Sequence, residues 1–131
     1  MHIASIADLL PHVEQAGELA LRAQQEMDYK DRAYKEDQSV FTVTDAKIER
    51  LLTQAIVERY GTVNVLGEET VWQFDPERPY TFAIDPIDGT DVFSQGMPGW
   101  CVAVGLLDAD LEPVAGIVHA PAWGLSFFAD I

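Results

Sequence analysis

At 131 residues and 48% hydrophobic, the chain is long enough for one ordinary globular domain with its own core, and no linker-like composition divides residues 1–131. Its 22 acidic residues against 8 Lys and Arg leave a formal net charge of −14, which excludes nucleic acid and anionic membrane surfaces as partners, because both need a basic footprint. One cysteine, Cys101, excludes an internal disulfide framework; with no signal-peptide pattern and no apolar stretch near the ~18–20 residues of a membrane span, a reducing cytoplasm is expected. The acids are spread along the chain, so most of them read as solvated surface. Cys101 lies in the apolar run WCVAVGLL and reads as a small buried residue.

Two helices come first. Over residues 5–27, Ile6, Leu9, Leu10, Val13, Ala16, Ala20, Ala23 and Met27 recur at helical spacing, with Pro11 marking either a first turn or a kink. YKDRAYKEDQSV (29–40) is charged, lacks periodicity and is expected to be a loop. In the next helix Thr44 is the expected N-cap, Ile48, Leu51, Leu52, Ala55 and Ile56 form the buried stripe, and Gly61 ends it. Asp45 would then stand in a first helical turn, where the helix dipole favours an anion. Strand-like runs follow at 62–67, 80–84, 100–107, 114–120 and 125–129, rich in β-branched and aromatic residues. DADLEP (108–113) is a turn between two of them, which predicts an antiparallel hairpin. Helices followed by strands predict an α+β fold, two N-terminal helices packed on a mainly antiparallel sheet.

The acids with a claim to chemistry sit at strand ends: 62–67 runs into Glu68 and Glu69, and 80–84 into Asp85, with Asp88 beyond it. Asp-Pro and Asp-Gly are common turn dipeptides, so DPIDGT (85–90) could be a tight turn that happens to be acidic. If the two strands are near neighbours, however, Glu68, Asp85 and Asp88 can reach one small volume. Two unit charges ~4 Å apart repel by roughly 4 kcal/mol at an effective dielectric near 20. Such a cluster needs shared protons, a neutralising base or a bound cation. The nearest bases in sequence, Lys47 and Arg78, are more simply placed on a surface, so a hard divalent cation such as Mg²⁺ is the preferred answer. Pro86 and Gly89 would shape a turn that aims both aspartates one way and leaves the Ile87 carbonyl as a neutral ligand. Gly89 and Thr90 could then present backbone N–H groups to an anion.

FTVTDAKIE (41–49), LGEET (66–70) and FAIDPIDGTDVF (82–93), in that order, resemble the inositol monophosphatase family of metal-dependent, lithium-sensitive phosphatases, and PGWCVAVGLLDADLEPVAGIVHAPAWG (98–124) extends the likeness. The resemblance implies the N-terminal half of a layered αβ sandwich and a small phosphomonoester as substrate. It also implies two or three Mg²⁺ ions per complete site, with Mn²⁺ as a substitute. Glu68 and Asp85 would bridge metals, Ile87 would ligate through its main-chain oxygen, and Asp88 would be a further ligand beside the phosphate. Glu69 would support the ligands from behind or bind a water. Gly89 and Thr90 would hold the phosphate, and the Thr90 hydroxyl paired with Asp45 would activate the attacking water. No side-chain nucleophile is then required, and His2, His12 and His119 read as structural or surface residues.

Members of the family are usually about twice this long, and their second half supplies a Trp-Asp motif that is not found here. A chain truncated before that half is expected, which then needs the half itself or another chain to complete the site; the resemblance also implies a homodimer. Asp91 follows the Gly-Thr where nucleotidases of the superfamily carry Lys, which favours a monophosphate substrate. Histidinol-phosphate or sugar-phosphate hydrolysis, suggested by FSQGMPGW (93–100), and a non-catalytic metal- and phosphate-binding half are the alternatives.

Overall fold

The computed structural model describes residues 3, 5–27, 35–68 and 73–131, with side-chain detail in the second helix from residue 43 onward. Ser5 opens the chain's first helical segment: its Oγ accepts from the Ala7 N–H at 3.0 Å and starts a 3-10 turn, Ile6–Leu9. That turn passes into α1, Leu10–Glu26, with Pro11 in the first turn. There its missing N–H has no intrahelical partner to lose, so Pro11 marks a start rather than a kink. Val13, Ala16, Gly17, Ala20 and Gln24 form the buried stripe. The expected Ala23 is only half-buried, and the polar Gln24 takes the interior position beside it.

The second helix corrects the sequence reading. α2 runs Lys35–Tyr60, so the loop expected over 29–40 is helical from Lys35 onward, and its earlier part, 29–34, lies outside the described residues. Thr44 is not an N-cap, and Asp45 is not in a first turn; both are buried well inside the helix. The physical reason is that apolar periodicity reports burial, whereas Lys35, Glu36 and Gln38 favour helix through propensity alone.

Beyond α2 the strands form one sheet in the order β1-β2-β3-β4-β5: Asn64–Leu66, Thr81–Asp88, Cys101–Leu107, Pro113–Ala120 and Leu125–Ala129. β1 pairs with β2 in parallel, and every other neighbouring pair is antiparallel, including the expected β3–β4 hairpin. The architecture is therefore α+β with a mixed, mostly antiparallel sheet.

Strand alternation gives the sheet two unlike faces. Phe82, Ile84, Val102, Val104, Leu106, Ile117 and His119 are buried on the face that α1 and α2 cover. Tyr60 of α2 stacks on Phe82 with ring centroids 5.0 Å apart. α1 comes so close to β4 that a Cβ on Gly17 would lie 2.5 Å from His119 Cδ2, so only glycine admits the approach. His119 Nδ1 faces the Leu125 carbonyl at 3.1 Å and Ser126 Oγ at 2.7 Å, a structural role tying β4 to β5. The opposite face carries the row Asp85, Ala103, Val118 and Phe127.

Candidate active site

The site begins with a backbone irregularity. Asp85 pairs with Ala103 and Asp88 with Cys101, so three steps along β2 match two along β3. One extra residue is accommodated in β2, which makes a β-bulge. Pro86 supplies a reason, because it has no N–H to give to the ladder. In a regular strand, residues three apart face opposite ways; the bulge resets the alternation and brings Asp85 and Asp88 to the same face. The acidic segment expected as a turn is thus a bulged strand end, and Ile87 between the two aspartates buries its side chain.

The two carboxylates feel each other. Asp85 is held above its ordinary pKa, first by burial and then by the charge of Asp88. Beside them Cys101 Sγ donates to Asp88 Oδ2 at 3.9 Å. Cys101 is half-buried at this rim instead of lying in the core as expected, and burial followed by the charges of Asp88 and Asp85 pushes its thiol pKa up. It stays a thiol near neutrality, which suits neither a nucleophile nor a thiolate ligand.

Parallel pairing ends β1 beside the same stretch of β2. Leu66 is opposite Ala83, so β1 ends where β2 reaches Asp85, and Glu68 follows on the neighbouring strand end. The Glu68 N–H donates to Glu49 Oε1, which ties this end to α2. Gly67 permits that contact, since a Cβ there would collide with the Glu49 carboxylate. Asp45 lies one helical turn before Glu49 on α2. Asp45 and Glu49 are each only 1% exposed. Among the described residues, no three His, Cys, Asp or Glu side chains form a group that could hold a metal ion. The structure therefore joins Asp85 with Asp88 through their side chains and brings Glu68 alongside through the backbone. Glu69 lies outside the described residues.

After Asp88, Gly89 takes a left-handed conformation, φ 97°, and α3, Thr90–Ser94, begins. A Cβ on Gly89 would sit 3.1 Å from the Gly99 carbonyl and 3.2 Å from Trp100 Cβ, so both backbone angle and space call for glycine. Thr90 is exposed at the head of the helix. An open hollow of about 560 Å³ extends from Asp88 and Trp100 to Trp123 and Phe127 along the uncovered face. Arg78, expected on the surface, is half-buried, with Nη1 donating to the Val63 carbonyl at 2.8 Å and Nε 3.6 Å from Asp75. Lys47 is exposed.

Sequence reasoning missed Glu49, Gln24 and Trp100. The available signal was a polar residue on an apolar helical stripe: Glu49 between Ile48 and Leu52, and Gln24 four residues after Ala20.

A helical layer on a mixed sheet with paired aspartates on a bulge defines the class of fold and site. The pattern of the inositol monophosphatase family matches residues 8–130. Over 111 residues the chain is 38% identical to inositol monophosphatase 1 of Mus musculus, covering 81% of this chain and 39% of that protein. Over 100 residues it is 34% identical to inositol monophosphatase 1 of Saccharomyces cerevisiae, covering 72% of this chain and 32% of that one. Inositol monophosphatase-II from Staphylococcus aureus shares the fold, with a TM-score of 0.76 at 23% identity over 93% of this chain and 44% of the other. The chain belongs to the inositol monophosphatase family, and it spans about a third of the length of the curated relatives it matches.

Proposed function

We propose that this chain carries the metal- and phosphate-binding part of a Mg²⁺-dependent phosphomonoesterase acting on inositol monophosphate or a similar small ester. The observation that carries the reading is the bulge that turns Asp85 and Asp88 to one face, at the rim where β1 also ends. The donor set suits a hard cation: it offers only oxygen, and a bound cation would offset both the burial and the neighbouring Asp88 charge that raise the Asp85 pKa. Glu68, Asp85, Asp88 and the Ile87 main-chain oxygen would hold the metal ions, with Glu69 binding a water beside them. When bound, a divalent metal lowers the pKa of water and offsets charge building on the phosphoryl oxygens.

The chain's own groups do the rest. The N–H groups at Gly89 and Thr90 open from a left-handed turn next to Asp88 and hold the phosphate. In this reading the Thr90 hydroxyl would donate to Asp45, leaving its oxygen lone pair to orient the water that attacks phosphorus. The ester P–O bond breaks and the alcohol departs. The hollow beside Asp88 gives a small alcohol room. A covalent enzyme intermediate is not part of this route, in line with a Cys101 that remains protonated.

The test is phosphate release from inositol monophosphate and a panel of small phosphomonoesters with Mg²⁺ or Mn²⁺, for the chain alone and for the chain joined to the C-terminal half of a family member. Metal-dependent release in either form is expected. Because the chain covers a minor share of its relatives, a second reading is a binding module without turnover. Binding of Mg²⁺ and inorganic phosphate with no release in either form would favour that module. No release and no binding at millimolar metal would remove both readings.

A further inference from the structure

Gln24 stands on the buried stripe of α1, 4% exposed, where an apolar side chain would be the ordinary choice. Its amide uses its donors and its acceptor on one short segment of the chain. Nε2 donates to the Phe93 carbonyl at 3.1 Å and to the Met97 carbonyl at 3.0 Å, and Oε1 accepts from Trp100 Nε1 at 3.2 Å. Trp100, itself buried, meets Phe93 edge-on with centroids 5.0 Å apart. The backbone and Cβ of Trp100 are also what Gly89 packs against. A continuous set of contacts therefore leads from α1 through Gln24 and Trp100 to the Gly89–Thr90 turn.

We propose that Gln24 is a positioning residue that clips α3 and the Gly89–Thr90 turn to α1, and so sets where the phosphate-holding N–H groups stand relative to Asp85 and Asp88. The phosphate part of this proposal rests on the function proposed above. An apolar residue at 24 could fill the space, but it could not fix the segment's height and rotation, because packing is non-directional whereas an amide aims both its donors and its acceptor. Glu at 24 would distinguish shape from bonding: an ionised carboxylate still accepts from Trp100 but can donate to neither carbonyl. The site asks for Gln by its pattern of two donors and one acceptor.

The experiment compares wild-type chain, Gln24→Leu, Gln24→Glu, Trp100→Phe and Val13→Ala. The last is a cavity control on the same helix stripe, distant in sequence from the clip. Amide hydrogen exchange is followed over residues 89–97, and inorganic phosphate is titrated in the presence of Mg²⁺. Both Gln24 variants should speed exchange across 89–97 and weaken phosphate by about tenfold, the loss of roughly one net hydrogen bond. Trp100→Phe should produce a smaller change of the same kind, and Val13→Ala should lower the melting temperature without either effect. Wild-type exchange at 89–97 in Gln24→Glu, or wild-type phosphate affinity despite faster exchange, would overturn the proposal. If the wild-type chain bound no phosphate while exchange still depended on Gln24, the clip would stand and the proposed phosphate site would fall.

Discussion

The two faces of the sheet divide the work. On the covered face, large apolar side chains such as Phe82, Val104 and Leu106 are sealed under α1 and α2. On the open face the centre is small, with Ala83, Ala103, Gly105 and Gly116, and a Cβ placed on Gly105 would meet nothing within 4 Å. Asp85 and Asp88 lie toward one edge of that face, while Val118, 42% exposed, and Phe127, 62% exposed, lie toward the other. Stability is thus concentrated on one side, and like charges can be crowded on the other because the core does not depend on them.

Truncations that differ only in the face they strike should break this comparison most visibly. Phe82→Ala on the covered side should cost ~3–5 kcal/mol in denaturant unfolding, the usual loss for an aromatic cavity in a core. Phe127→Ala on the open side should remain within ~0.5 kcal/mol of wild type. Equal losses would mean that the open face is packed as tightly as the covered one.

Gly89→Ala comes next, at about 1–2 kcal/mol, because a side chain is forced into a left-handed conformation; thermal unfolding reads it, and the close Trp100 backbone should add to the loss. Asp85→Asn and Asp88→Asn should each weaken Mg²⁺ binding by about tenfold, as removal of a charged ligand does, while the metal-free melting temperature stays level or rises because like-charge repulsion is relieved. Calorimetric titration and a metal-free melt check the two halves of that expectation. Unfolding of both variants would make the two aspartates structural members of the bulge instead.

The smallest effect concerns Asp130, far from the acids. Its carboxylate accepts from Ser5 Oγ at 2.6 Å and the Ile6 N–H at 2.8 Å, and these bonds hold its pKa below the ordinary value. A depressed folded-state pKa contributes stability that is present above the unfolded pKa and lost as pH falls through the folded one. Asp130→Asn should therefore lower stability slightly at neutral pH and leave strongly acid pH unchanged, which flattens the acid limb of the curve; denaturant unfolding across pH checks it.

Much of the architecture was legible in the chain. The five strand runs were readable because alternation and β-branched content report a sheet, and the β3–β4 hairpin because DADLEP punctuates it. The start of α2 was not legible, since charged helix formers carry no apolar period; that error placed Asp45 at a favourable helix start when it is buried deep within the helix. Cys101 looked like core because its neighbours are apolar, yet the strand's alternation puts it on the acidic side. Gln24 and Glu49 were hidden by the same logic in reverse: a polar residue on a stripe discloses its purpose only through partners distant in sequence.

Sequence by itself determined the identity of the acids, the strands that end in them and the family to which the chain belongs, since these are carried by local residue patterns. Tertiary structure alone decided that Asp85 and Asp88 share a face, that β1 runs parallel to β2 and that Gln24 grips the segment after the site. Each of those depends on register between segments far apart in the chain, and register is set by packing and hydrogen bonds that local preference does not encode.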